Sequence, residues 1–272
     1  MRGILIDAGK RSVLGVQVDV TDYESAVERT VDAARRRIPF AVTAQPVHGI
    51  MTGALDSEHR YRLNSFDLLV PDGQPVRWAL NLIHRVRLRE RVYGPSLMLA
   101  LCERLANERL PIYLYGSWPE TVARLQQNLE RRFPGIIIAG RRPGRFAILS
   151  PEQKREINDA IKRSGAALVF AGLGCPRQEI WAYENRDELS MPIVCVGAAF
   201  DFHAGTVAQA PRSLQNVGLE WAYRLTREPR RLWRRYAVYN PMYVGMVAAQ
   251  LTGAVDFDAR PATRPGRDLN YG

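Results

Sequence analysis

The amino-acid sequence predicts a doubly wound, mainly parallel α/β sheet carrying a basic helical appendage near its C-terminal end. Short apolar strand candidates repeatedly stop at a glycine or a polar turn and pass into helical stretches of about 10 to 15 residues, an alternation that requires parallel pairing. Beyond Gly218 the composition changes: arginines crowd together and an uncharged run follows.

The elements follow in order. Over 21–38, Tyr23, Ala26, Val27, Val31, Ala34 and Ile38 recur at helical spacing, and Thr21-x-x-Glu24 has the form of a capping box. Residues 40–44 form a strand candidate, Pro46 is suited to open a helix, and 67–70 is a second strand running into Pro71-Asp72-Gly73. That places the Asp72 carboxylate at a strand end. The run 111–115 stops at Gly116 and meets Ser117-x-x-Glu120, a capping box for a helix reaching Arg132. The unit recurs as strand 136–139 with a helix begun by Ser150, Pro151 and Gln153. It recurs again as strand 167–171, the turn 172–176 and a helix from Arg177, and a last buried strand spans 193–196. In the appendage, Arg224, Arg227, Arg230, Arg231, Arg234 and Arg235 share space with Trp221, Leu225, Leu232, Trp233 and Tyr236, a pattern suited to a membrane surface. The run 237–255 contains Asn240, Pro241, Gln250 and Thr252, which make it a poor spanning helix. The organisation expected is an α/β domain over 1–220, the basic appendage over 221–255, and a disordered tail over 256–272.

The chain has 272 residues, 46% of them hydrophobic and 24% charged, which excludes a disordered polymer and allows a sizeable core. Its 38 basic and 28 acidic side chains give +10, and only Lys10, Lys154 and Lys162 are lysines, so the positive charge is almost purely guanidinium. Planar guanidinium forks suit nucleotides, phospholipid headgroups, nucleic acid or lipid-linked diphosphates. Cys102, Cys175 and Cys195 are widely spaced, with no C-x-x-C pair, which fits a reducing compartment better than a disulfide framework or a zinc site. The first twenty residues lack the apolar core of a signal peptide, so the expected location is cytoplasmic.

Motif rules yield no H-x-x-x-H, G-x-S-x-G, P-loop or full G-x-G-x-x-G, and the one D-x-D, Asp256-Phe257-Asp258, falls in the tail. What stands out is a set of clusters at predicted strand ends, where open α/β sheets bind ligands. Each has an ordinary structural reading: Pro-Asp-Gly as a turn, Asp201 as a helix cap, Gly172-x-Gly174 as a tight turn whose amides would also suit a phosphate.

Together and in this order, VPDG (70–73), RVYG (91–94), GLGCPRQE (172–179), VGAAFDFHAG (196–205) and GLEWAYRLTREPRRLWRRY (218–236) resemble the WecG/TagA/CpsF glycosyltransferases, glycosyltransferase family 26. The resemblance spans roughly residues 20–245. It implies a Rossmann-like bacterial enzyme of cell-surface polysaccharide synthesis, peripheral to the inner face of the membrane. Such an enzyme moves a sugar from a UDP-sugar to a polyprenyl-diphosphate-linked sugar with inversion, without a metal or other cofactor. By match to the family motifs, Asp72 is the general base, Thr43 and Gln45 lie beside the reacting sugar, and Arg91 lies near the acceptor or diphosphate. Gly73, Gly172, Gly174, Pro176, Gln178, Glu179 and Asp201 are expected to bind substrate, and Arg224, Arg231 and Arg234 to complete the site from the appendage. Gln45 stands where the family usually has Asn, Ser96 where Asp is frequent, and Gln209 where a basic residue is usual, so the donor sugar is open among N-acetylmannosamine, glucose, N-acetylglucosamine and uronic acids.

Two other classes compete. Gly116 and Arg141-Arg142 imitate an NADP site, against which the single glycine argues. A non-enzymatic basic module for membrane or nucleic acid would use the arginines but leaves the strand-end carboxylate unexplained; nucleic acid is not an expected partner, whereas oligomerisation is compatible with the sequence.

Overall fold

A computed structural model describes residues 6–272, apart from the side chain of Arg231. The chain opens with a hairpin, β1 (Asp7–Val13) and β2 (Val16–Thr21), for which the sequence offers no turn dipeptide. The turn needs two left-handed residues, and Leu14 (φ 57°) takes one of these positions ahead of Gly15 (φ 83°). Helix α1 (Tyr23–Arg36) is capped by Asp22, whose Oδ1 accepts from the Ser25 amide at 2.9 Å; the cap expected at Thr21 lies one residue further on because Thr21 still belongs to β2.

There follow β3 (Phe40–Gln45), α2 (Val47–Leu55), α3 (Ser57–Asn64), β4 (Leu68–Pro71), α4 (Gln74–His84), α5 (Gly94–Asn107) and β5 (Ile112–Gly116). Helix α6 (Pro119–Arg132) starts without the expected capping box: Trp118 takes the cap position, and the Ser117 hydroxyl donates instead to Asp201 Oδ1 at 3.3 Å. Strand β6 (Ile138–Arg142) begins two residues later than its apolar run suggests, whereas α7 (Pro151–Arg163) has the full capping box of Ser150 and Gln153. The chain continues through β7 (Leu168–Gly172), α8 (Arg177–Leu189), β8 (Pro192–Cys195), α9 (Ala199–Ala204), α10 (Arg212–Asn216), α11 (Glu220–Arg227) and α12 (Pro229–Leu251).

Six strands pair in the order β4-β3-β8-β7-β5-β6, all parallel, with helices on both faces, so the fold is a doubly wound, Rossmann-like sheet. Successive strand residues serve opposite faces. Ile112, Leu114 and Phe170 join a core with α1, α5, α6 and α9, while Tyr113, Tyr115 and Val169 join one with α7 and α8. A third core collects the hairpin, α2, α4 and the distal half of α12 around Val16, Ile50, Leu80, Tyr243 and Phe257. Here Gln250 accepts from the Leu14 amide at 2.9 Å and donates to the Ser12 carbonyl at 3.2 Å. No helix among the described residues is long and apolar enough to cross a membrane.

Residues 256–272 differ from the disorder their composition suggests. Phe257 is buried, the amides of Leu269 and Asn270 donate to the Glu184 carboxylate at 2.6 and 3.0 Å, and Tyr271 bridges Ile148. Asp256 accepts from the amides of Asp258 and Ala259, so the D-x-D forms a turn.

Candidate active site

Parallel pairing brings the C-terminal ends of all six strands to one edge, and most of the singled-out residues lie there. Gln45 pairs with Pro71 in register, and the Asp72 amide donates to the Gln45 carbonyl at 3.2 Å. The Pro-Asp-Gly turn is therefore an extension of the sheet that projects Asp72 past its rim.

Asp72 lines a cavity of about 330 Å³ between the start of α2, the β4–α4 turn, α11 and α12. Its Oδ1 accepts from the Gly94 amide at 2.5 Å, and a Cβ at Gly94 would stand only 3.1 Å from the Ala44 methyl. Burial pushes the Asp72 carboxyl up to about 6; Arg91 opposes this, Glu220 reinforces it, and the Gly94 amide and Arg224 oppose it. A carboxylate titrating there is ionised near neutral pH yet retains affinity for a proton.

Arg91 also reaches the cavity but is largely engaged by the protein. One Nη donates to the Asp72 carbonyl at 3.0 Å, the other to Glu220 Oε2 at 2.8 Å and Gln215 at 3.4 Å, and the guanidinium lies 4.1 Å over the Tyr93 ring. The Tyr93 hydroxyl donates to Glu220 Oε1 at 2.8 Å and accepts from Gln209 at 3.1 Å. Glu220 and Tyr93 are thus part of the site, although sequence reasoning assigned them no role; both lie inside the quoted motif strings.

Thr43, Gln45, Gln178 and Glu179 come together behind the cavity wall. Thr43 Oγ1, Gln45 Nε2 and Gln178 Nε2 donate to Glu179 Oε1 at 3.0, 2.9 and 2.8 Å, and the group is buried. Burial raises the Glu179 carboxyl, against the pull of those donors. None of the four lines the cavity beside Asp72. Gly49 makes room for the longer amide at position 45, since a Cβ there would fall 1.4 Å from Gln45 Oε1.

A second feature lies between β5 and β7, whose outgoing connections run in opposite directions, the position where doubly wound sheets hold nucleotides. Gly116 (φ 116°) and Gly172 approach so closely that a Cβ on the former would meet the carbonyl carbon of the latter at 2.6 Å. Beside them Trp118 is 63% exposed, its ring 4.9 Å from that of Phe146, and Asp201 faces the same edge through Ser117. The Gly174 amide already donates to Gln178 at 3.2 Å, and Pro176 holds the cap position of α8.

From the appendage, Arg224 and Arg235 line the cavity with Tyr236 and Tyr239. Arg234 instead lies exposed beside Trp233, and the side chain of Arg231 lies outside the described residues. His48 stacks on Tyr239 at 5.4 Å, and burial, with Arg235 nearby, pushes its imidazole down to about 3, so it is neutral. Gly73 forms the cavity floor as the cap residue of α4. Ser96, with Gln209, lines a separate polar cavity.

The family model described as Glycosyl transferase WecG/TagA/CpsF family matches residues 11–255. The chain is also 31% identical over 233 residues, 85% of its own length and 87% of the relative's, to an N-acetylglucosaminyldiphosphoundecaprenol N-acetyl-beta-D-mannosaminyltransferase of Bacillus spizizenii.

Proposed function

Because the chain belongs to the WecG/TagA/CpsF family of glycosyl transferases, we propose that this glycosyltransferase moves a sugar from a UDP-sugar to a polyprenyl-diphosphate-linked N-acetylglucosamine, with inversion and Asp72 as general base. The observation that carries the reading is the Asp72 carboxyl, pushed up to about 6 in a cavity walled by aromatic rings and arginines.

In the proposed reaction the acceptor hydroxyl oxygen bonds to the anomeric carbon as the bond from that carbon to UDP breaks. The hydroxyl proton passes to Asp72, and the electron pair leaves with the diphosphate. Arg224 and Arg235 supply positive charge in the same cavity, which supports charge stabilisation by guanidinium without a metal. Trp118 and Phe146 offer an aromatic face for the uracil at the β5/β7 edge. The exposed Trp233, Val238 and Val244 beside appendage arginines support docking on the inner membrane face, where a lipid-linked acceptor resides. N-acetylmannosamine is the first donor to test, given the relative's name, while Gln45 is the reason to test others.

The experiment is UDP release from a panel of UDP-sugars, with and without a short-chain diphosphate-linked N-acetylglucosamine, in chelator. Acceptor-dependent release from one donor, lost in Asp72→Asn, is the expected outcome. Turnover that needs added divalent metal, or survives in Asp72→Asn, would overturn the corresponding part of the proposal.

A further inference from the structure

A shielded ion pair joins α11, the helix that leads into the appendage, to the body of the fold beside Asp72. Glu220, the first residue of α11, uses one carboxylate oxygen on Arg91 and the other on Tyr93, both at 2.8 Å. The Glu220 and Arg91 side chains are 15% and 10% exposed, so the pair is shielded from solvent. Arg91 in turn holds the backbone carbonyl of Asp72. A chain of direct contacts therefore runs from α11 to the residue assigned as base.

We propose that Glu220 is a positioning residue: by bridging Arg91 and Tyr93 it ties the docking of α11 to the charge set around Asp72, so that the base is fully competent only when the appendage roofs the cavity. This rests on the reading of Asp72 as base. With α11 in place, Glu220 neutralises Arg91. Were α11 displaced, Arg91 would keep its charge without its carboxylate, an uncompensated and mostly buried cation beside Asp72. An unopposed guanidinium holds a carboxylate in its ionised form and makes it a weaker base. Loss of cover by α11 would also hydrate Asp72, which acts in the same direction.

The other groups around Asp72 do not reverse that sign. Arg224, also on α11, lowers the Asp72 pKa, but less than Glu220 raises it. Arg235 from α12 and His48 from α2 line the same cavity, and His48 is neutral. Tyr93, and Tyr23 from α1, have their hydroxyls held in the protonated form by burial. Glu220 is thus the anion that balances Arg91, and it arrives on the element that closes the site.

The test is the pH dependence of kcat/KM and kcat for the full-length chain and its Glu220→Gln, Glu220→Asp and Asp72→Asn variants, using the UDP-sugar that turns over and a short-chain diphosphate-linked acceptor. In Glu220→Gln the acid limb is expected to move to lower pH by about half a unit or more. Its plateau kcat should fall about tenfold, with the donor KM changed less than about twofold. Glu220→Asp, which keeps the charge, should hold the limb close to that of the parent. An acid limb that stays put or moves upward in Glu220→Gln overturns the proposal. Should that variant not fold, Tyr93→Phe, which removes the hydroxyl holding Oε1, is expected to shift the limb the same way by less, and an unmoved limb there overturns it equally. Turnover persisting in Asp72→Asn would instead refute the assignment of the base, which keeps the two failures apart.

Discussion

Replacing Asp72 by Asn should stabilise the protein at neutral pH while removing its activity. The carboxyl is raised from the ordinary 3.8 to about 6, chiefly by burial. A carboxyl raised in the folded state contributes stability that is full below 3.8 and is lost as pH climbs through about 6, because the folded protein resists the ionisation that the unfolded chain accepts. A shift of about two units corresponds to roughly 3 kcal/mol at most, and solvent at the cavity wall reduces this to about 1–2 kcal/mol. Asn has no charge to bury, and its Oδ1 can still accept from the Gly94 amide. Arg91 keeps its partner Glu220. Urea denaturation of parent and variant from pH 4 to 8 therefore should give nearly equal stabilities at the acid end and a variant more stable by about 1–2 kcal/mol above pH 7. Turnover should fall by about 10²- to 10⁴-fold. A variant less stable than its parent at pH 7.5, or a difference independent of pH, would refute the argument that Asp72 is a strained, buried acid.

Gly49→Ala should destabilise by about 1–3 kcal/mol, because its Cβ would overlap Gln45 Oε1, and should cost less in a Gln45→Asn background; a double-mutant cycle by chemical denaturation checks the coupling. Trp118→Ala should raise the donor KM about two- to tenfold with little change in kcat, measured by UDP release at saturating acceptor. Trp233→Ser combined with Val244→Ser should weaken sedimentation with anionic vesicles while leaving the melting temperature within a few degrees, since both side chains are exposed. Deleting the whole appendage is a poorer probe, for Leu232 is buried and loss of Tyr243 would open the third core.

Much of the sheet is legible in the sequence because its strands are apolar runs cut off by glycine or a polar turn, as at Gly116, Gly172 and Asp72. Helical spacing also finds α1, the polar starts at Ser117 and Ser150 announce α6 and α7, and the turn before Arg177 announces α8, although only Ser150 caps as expected. The hairpin is not legible, since Leu14 occupies a backbone conformation that sequence rules reserve for glycine and asparagine. Edge strand β6 is blurred for another reason: half-exposed isoleucines precede it and look like its core. Asp72 and Arg224 line one cavity, but the bonds that define their surroundings connect distant parts of the chain. Arg91 meets Glu220 across 129 positions, and Gln45 meets Glu179 across 134, so no local pattern announces either pairing. The burial of Thr43, Gln45, Gln178 and Glu179 is likewise a tertiary choice: three donors from distant parts of the chain converge on one Glu179 oxygen.

The carbonyl of Phe257 lies so close to Gly15 that a Cβ there would approach it to 2.9 Å, and Gln250 holds the hairpin at Ser12 and Leu14, where β1 enters that turn. An early segment of the chain is therefore locked by a late one. The hairpin packs early on α2 and α4, but Leu14 meets Gln250 across 236 positions, and contacts at such separation form late in folding. The helix that completes the third core is the same helix that roofs the cavity around Asp72. Enclosure of the cavity around Asp72 thus depends on a helix that is no part of the parallel sheet, so the sheet and the Asp72 turn can form before the cavity is roofed.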